Sequence, residues 1–119
     1  MQSADHKSFA REWVEAWNSH DLDRILSHYE EDVVLTSPRA RVMLGREDGC
    51  VRGTSDLRQY FSKGLQSLPD LKFTLERVYS GVNSVVLEYC RNHGPRGAEL
   101  MEFGPSGRVC RVIAHYVEG

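Results

Sequence analysis

The segment 13–38, WVEAWNSHDLDRILSHYEEDVVLTSP, restricts the possible folds of this chain more than any other, because it sets two amphipathic helices and a strand around one tight turn. Phe9, Trp13, Ala16 and Trp17 recur at i, i+4, i+7 and i+8, and Leu22, Ile25, Leu26 and Tyr29 at i, i+3, i+4 and i+7, so each helix carries one apolar stripe. Ser3 or Asp5 can cap the first helix, which runs to about Ser19 with Glu12 and Glu15 on its wet side. The turn 18–21 stops it, and Asp21 caps the second helix. That helix is predicted to end near Asp32, where the β-branched run Val33, Val34, Leu35, Thr36 begins a strand that Pro38 closes. Tyr29 and Asp32 then sit at the helix end, Tyr29 pointing inward with its hydroxyl on a partner and Asp32 fixing the turn.

Beyond Pro38, residues 39–53 are rich in turn formers, and both a hairpin and a mobile loop fit them. Thr54 or Ser55 opens a third helix carrying Leu57, Tyr60, Phe61, Gly64, Leu65 and Leu68 at helical spacing until Pro69 ends it. Four alternating segments follow, near 71–79, 84–91, 97–103 and 108–117, divided by glycine-containing turns. Helices first and an antiparallel meander second predict an α+β fold in one domain spanning 1–119, with three helices packed on one face of the sheet.

The pattern W-x-x-A-W-N-x-x-D-L-D-x-I-L-x-x-Y-x-x-D-V-V-L-x-S-P, the G-T-x-x-L-x-x-Y-F opening of the third helix and the closing G-x-V-x-R-V-I-A-H-Y resemble the nuclear transport factor 2-like superfamily, with its SnoaL-like proteins and steroid delta-isomerases. The resemblance implies a cone-shaped, cystatin-like α+β roll: a curved mixed sheet closed at its apex, with an apolar cavity open at the wide end. The same architecture serves isomerases, dehydratases, cyclases, epoxide hydrolases, ligand binders and transport adaptors, so it does not name a reaction.

Strand alternation, with Glu99 and Phe103 facing inward, assigns Val85, Leu87, Tyr89 and Arg91, then Glu99, Met101 and Phe103, then Cys110, Val112, Ala114 and Tyr116 to the cavity side. With Trp13, Trp17, Tyr29, Leu35, Ser37, Phe61 and Leu65 from the helical side they describe an aromatic cavity holding a few polar groups, the composition of a small-molecule site. The substrate-binding set is therefore Trp13, Trp17, Ser37, Phe61, Tyr89, Met101, Phe103, Val112 and Tyr116, with Glu99, Tyr29 and Arg91 as catalytic candidates. The two tryptophans also fit plain core packing.

Set against the steroid delta-isomerases, the match is partial. Their aspartate base, just before a proline at the end of the first strand, corresponds to Ser37, which cannot take up the proton. Their oxyanion-hole tyrosine corresponds to Trp13, and only the protonated acid of that hole keeps its chemical type, at Glu99. Burial raises the pKa of such an acid into a useful range, whereas an ion pair with Arg91 lowers it; the sequence leaves both open. Arg91 beside Glu99 is also similar to part of the carboxylate–arginine–carboxylate set of the superfamily's epoxide hydrolases, with one acid evident. Arg39, Arg41, Arg46 and Arg52 fit either steering of an anionic substrate to the mouth or a solvated loop balanced by Glu47 and Asp48.

None of the histidines shares metal-ligand spacing with another His, Asp or Glu; His20 and His28 lie near the helix turn, His93 in a turn, and His115 outward. No metal or cofactor is expected. Cys50, Cys90 and Cys110 are odd in number and far apart, and read as reduced thiols. A net charge of −2 gives no reason to expect nucleic acid, and the sequence shows neither a signal-peptide core nor a membrane span, so a soluble cytoplasmic protein is the default. The convex sheet face, carrying Val86, Glu88, Leu100, Glu102, Val109, Arg111, Ile113 and His115, predicts a homodimer. The expected function is binding of a small hydrophobic ligand, with isomerase-, dehydratase- or cyclase-type acid–base chemistry; the alternative is a non-catalytic binding or association module.

Overall fold

The computed structural model describes the backbone of residues 3–118 and the side chains of residues 5–118. Helix α1 (Ser3–Ser19) ends at the predicted turn, where His20 takes a left-handed conformation (φ 61°). The capping role considered for Ser3 lies outside the described side chains, and Asp5 stands in the first helical turn. Asp21 caps α2 (Leu22–Leu26) as expected, its carboxylate accepting from the N–H groups of Asp23 and Arg24.

Helix α2 is shorter than its spacing predicts: it stops at Leu26, and Tyr29 and Asp32 belong to strand β1 (Tyr29–Thr36) instead of the helix end. Tyr29, Val33 and Leu35 are all buried. Their alternation competes with the helical spacing of Tyr29, and pairing with the last strand, begun by the Val109 N–H donating to the His28 carbonyl, decides for the strand.

The undecided segment 39–53 contains a fourth helix. Ser37 Oγ accepts from the Arg39 N–H, Pro38 fills the first turn of α3 (Pro38–Leu44), and Gly45 ends it in the left-handed region (φ 64°). A three-residue strand, β2 (Cys50–Arg52), then leads directly into α4 (Gly53–Ser67). The four predicted strands become β3 (Phe73–Ser80), β4 (Ser84–Arg91), β5 (Gly97–Phe103) and β6 (Val109–Tyr116).

One six-stranded sheet in the order β2-β1-β6-β5-β4-β3 results, antiparallel except where β1 runs parallel to β6. The helices cover its concave face, and the core between them is aromatic: Trp13 stacks on Phe73 with centroids 5.7 Å apart, and Trp17 meets Phe61 edge-on at 4.6 Å. At the narrow end His6 lies parallel to Phe103 (5.7 Å) and Phe9 meets Phe103 edge-on (5.0 Å).

The register of β6 keeps Val112 and Ala114 inward and His115 outward, as predicted, but reverses one pair. A bulge between Glu102 and Phe103 sets Phe103 opposite Val109, so Val109 is fully buried and Cys110 only partly. Strict alternation fails there because the bulge adds a residue to the count.

Candidate active site

Between α1, α4 and the wide end of the sheet lies a narrow cavity of about 70 Å³, open at its mouth. Of the sequence-predicted residues, Trp13, Trp17, Tyr29, Leu35, Ser37, Phe61, Tyr89, Arg91, Glu99, Ala114 and Tyr116 line it. Met101, Phe103 and Val112 do not. They are buried farther along the cone, Met101 paired with Val112 and Phe103 covered by His6 and Phe9. Alternation chooses a face of a strand but not a depth, and Glu99 stands nearer the wide end than either residue after it on β5. Leu65 is likewise core rather than wall.

Glu99 is the buried acid of this cavity, 7% exposed. Its Oε2 accepts a 2.5 Å hydrogen bond from the Tyr89 hydroxyl, and among the described residues nothing from the chain bonds to Oε1. Burial dominates its electrostatics and pushes its pKa up to about 7, against the opposing pull of the Tyr89 hydrogen bond and the Arg91 charge. No ion pair within 4.0 Å joins Glu99 to Arg91, which resolves the alternative left open by the sequence.

A glycine makes this pairing possible. Gly97 lies between Tyr89 on β4 and Tyr116 on β6, and a Cβ on it would come 2.7 Å from Tyr89 Cζ and 2.8 Å from its hydroxyl oxygen. The phenol therefore leans across the gap toward Glu99, the diagonal neighbour on β5.

The other polar groups form a ring of donors. Trp13 Nε1 donates to the Tyr29 hydroxyl at 2.9 Å, so the residue aligned with the isomerase tyrosine holds a second tyrosine in place. Having accepted there, the Tyr29 hydroxyl keeps its own proton for another acceptor. Trp17 Nε1 is buried and points toward the same Tyr29 hydroxyl without closing a hydrogen bond to it. Burial, with the nearby Glu99 charge, holds Tyr29 and Tyr89 well above the ordinary phenol range and Tyr116 at about 12; Tyr60 is raised mainly by burial. All four phenols are thus protonated donors at neutral pH, and Glu99 alone among the described cavity residues titrates there.

Ser37 is buried on the wall, but its oxygen serves as the cap of α3. Asp32 is exposed and stands away from the cavity. Sequence reasoning missed Tyr60 and Met43 as wall residues, and it left Arg39 between a place at the mouth and a solvated loop. Tyr60 was hidden as one more apolar-stripe residue. Arg39 and Met43 depend on α3, whose signal, Ser-Pro followed by Gly after a helical turn or two, was present in the chain. Among the described residues no three His, Cys, Asp or Glu converge as a metal site requires, and no helix is long and apolar enough to cross a membrane.

Comparison with known proteins places this architecture. The family model of the SnoaL-like domain matches residues 10–117. A SnoaL-like protein of unknown function from Burkholderia thailandensis is 38% identical over 98% of each chain, with a TM-score of 0.95. At 19% identity a protein from Kribbella flavida proposed to be a ketosteroid isomerase superposes with a TM-score of 0.75, over 96% of this chain and 78% of that one. The epoxide hydrolase/cyclase-like enzyme SalBIII of salinomycin pyran-ring formation does so at 14% identity and a TM-score of 0.78, over 98% and 95%. These last two share the fold alone. No functionally curated protein matches the sequence.

Proposed function

This chain belongs to the SnoaL-like family, and from that premise we propose that it binds a small, largely apolar molecule bearing a carbonyl or hydroxyl oxygen and moves a proton on it through Glu99. The observation that carries this reading is a carboxyl buried inside an aromatic cavity with one oxygen held by Tyr89, a setting in which burial pushes its pKa up to about 7. A group with a pKa close to ambient pH is present in both protonation states and can give or take a proton at little cost. Tyr29 and Trp17 supply donors to an oxygen on which negative charge develops, as in other acyl and enol chemistries. Trp13, Phe61, Tyr116 and the Ser37 wall bind the apolar body, and Tyr89 positions the acid. Isomerisation, dehydration and cyclisation all use such an arrangement. A buried acid set among protonated phenol donors favours an enzyme over a purely binding module.

Proton transfer is testable with a generic bicyclic ketone. In D₂O, 2-tetralone should gain α-deuterium faster with the protein than in buffer, and Glu99→Gln should abolish the excess. Exchange that survives Glu99→Gln puts the base elsewhere. Binding without exchange favours the module. Ketosteroid isomerisation should be poor, because Ser37 stands at the position of the base and a positioned base contributes ~10²–10⁴-fold.

We also propose a soluble homodimer joined through the convex sheet face. Supporting it is a row of side chains that runs across four strands, Tyr79, Val86, Leu100 and Ile113, each paired with the next. The burial of Val109 removes that residue from the patch.

A further inference from the structure

At the mouth of the cavity two arginines meet with no acid in ion-pair contact; Glu99, deeper in the same cavity, acts on Arg91 by charge alone. Arg91, at the end of β4, and Arg39, in the first turn of α3, both line it. A Cβ built on Gly94, a residue with φ +84°, would lie 2.9 Å from Arg91 Nη1 and 3.9 Å from Arg39 Nη1, so the two guanidinium tips share one corner. Arg91 Nη1 is buried and has no hydrogen-bond partner. Neither side chain makes an ion pair among the described residues, although nearby arginines do find partners: Arg46 donates to the Cys50 carbonyl and Arg52 pairs with Asp48. The Arg91 guanidinium lies over the Tyr116 ring, 5.6 Å from its centroid, which holds it beside the cavity wall.

Two like charges held together, one with a desolvated and unsatisfied donor, are unfavourable until something anionic bridges them. Burial and the charge of Arg39 both press against the charge on Arg91. A carboxylate fits the planar fork of a guanidinium with two parallel hydrogen bonds and neutralises the pair.

We propose that Arg91 and Arg39 form a carboxylate subsite, so that the ligand is an organic acid whose flat apolar body lies against the wall that Trp17, Phe61 and Phe73 form together, while its acid group stays at the mouth. This subsite rests on the reading of the cavity as a ligand site, and it adds the chemical class of the ligand and its orientation: charged end outward, reacting carbon toward Glu99. Arg91 thereby has a binding role rather than the water-activating role that its likeness to the epoxide hydrolase set suggests.

The test compares 2-naphthoate with its neutral isostere 2-naphthamide, each titrated calorimetrically into the protein at low salt. Naphthoate should bind at least about tenfold more tightly, the effect of a charge-assisted pair. Arg39→Gln, at a half-buried position outside the core, and Arg91→Met should each erase most of that preference while leaving naphthamide affinity within about twofold; thermal melting checks their fold, and Arg39→Gln carries the test if Arg91→Met does not fold. Equal affinity of the two probes for the unmodified protein, or equal losses for both probes in the variants, overturns the carboxylate subsite and leaves the cavity reading standing. Binding of neither probe overturns both.

Discussion

Glu99 owes its character to its neighbours, and each neighbour can be removed separately. The Tyr89 hydroxyl stabilises the charged form of Glu99, so Tyr89→Phe should raise the Glu99 pKa further above 7 and shift any pH–rate profile in the same direction. Gly97→Ala should displace the Tyr89 ring with a similar result, since the added methyl occupies the phenol's position. Trp13→Phe keeps the apolar ring but deprives the buried Tyr29 hydroxyl of its donor, at a cost of about 1–3 kcal/mol in denaturant unfolding. These residues differed in how plainly the sequence marked them. Glu99 stood out as the acid on the inward face of an alternating strand, whose other acid, Glu102, falls on the outward face. The Tyr89 contact did not, because it depends on a glycine one strand over, and only cross-strand pairing reveals that Gly97 faces Tyr89.

At the level of helices and strands, the signals that worked were local and chemically specific. Asp21 caps α2 as its position predicts, and Asp21→Ala should cost about 1 kcal/mol of stability by thermal or urea unfolding, with little effect on the cavity. The strands β4 and β5 matched the expected residues because both have one buried face and an unbroken alternation. Signals that misled were those needing a distant partner. Tyr29 continues a helical stripe in sequence, yet the parallel ladder with β6 draws it into β1. Cys110 and Val109 exchange sides through a bulge that no local pattern announces. Met101, Phe103 and Val112 were assigned to the right face of the sheet but fall below the cavity, since the taper of the cone and its covering by α1 are tertiary properties.

For the molecule as a whole, folding and the titration of one carboxyl are linked. The folded-state pKa of Glu99, about 7, lies above the ordinary glutamate value of 4.5, so the native state holds the proton more tightly than the unfolded chain. The resulting stability is fully present below about pH 4.5 and is lost as pH rises through about 7, on the order of 3 kcal/mol in all. Glu99→Gln, neutral at every pH, should therefore unfold at higher denaturant concentration than the unmodified protein at pH 8 and lose that advantage near pH 4. Assembly is a separate matter: sedimentation at micromolar concentration should give a dimer, and Ile113→Glu should give a monomer with the cavity unchanged; an unaltered dimer would exclude the convex face. The proton itself is best followed by carbon-13 NMR of labelled glutamate side chains, with Glu99→Gln identifying the resonance. A carboxyl signal titrating near pH 7, absent in Glu99→Gln and moved upward in Tyr89→Phe, is the expected result; a Glu99 signal titrating at or below the ordinary carboxylate range would contradict the acid–base role assigned to the cavity.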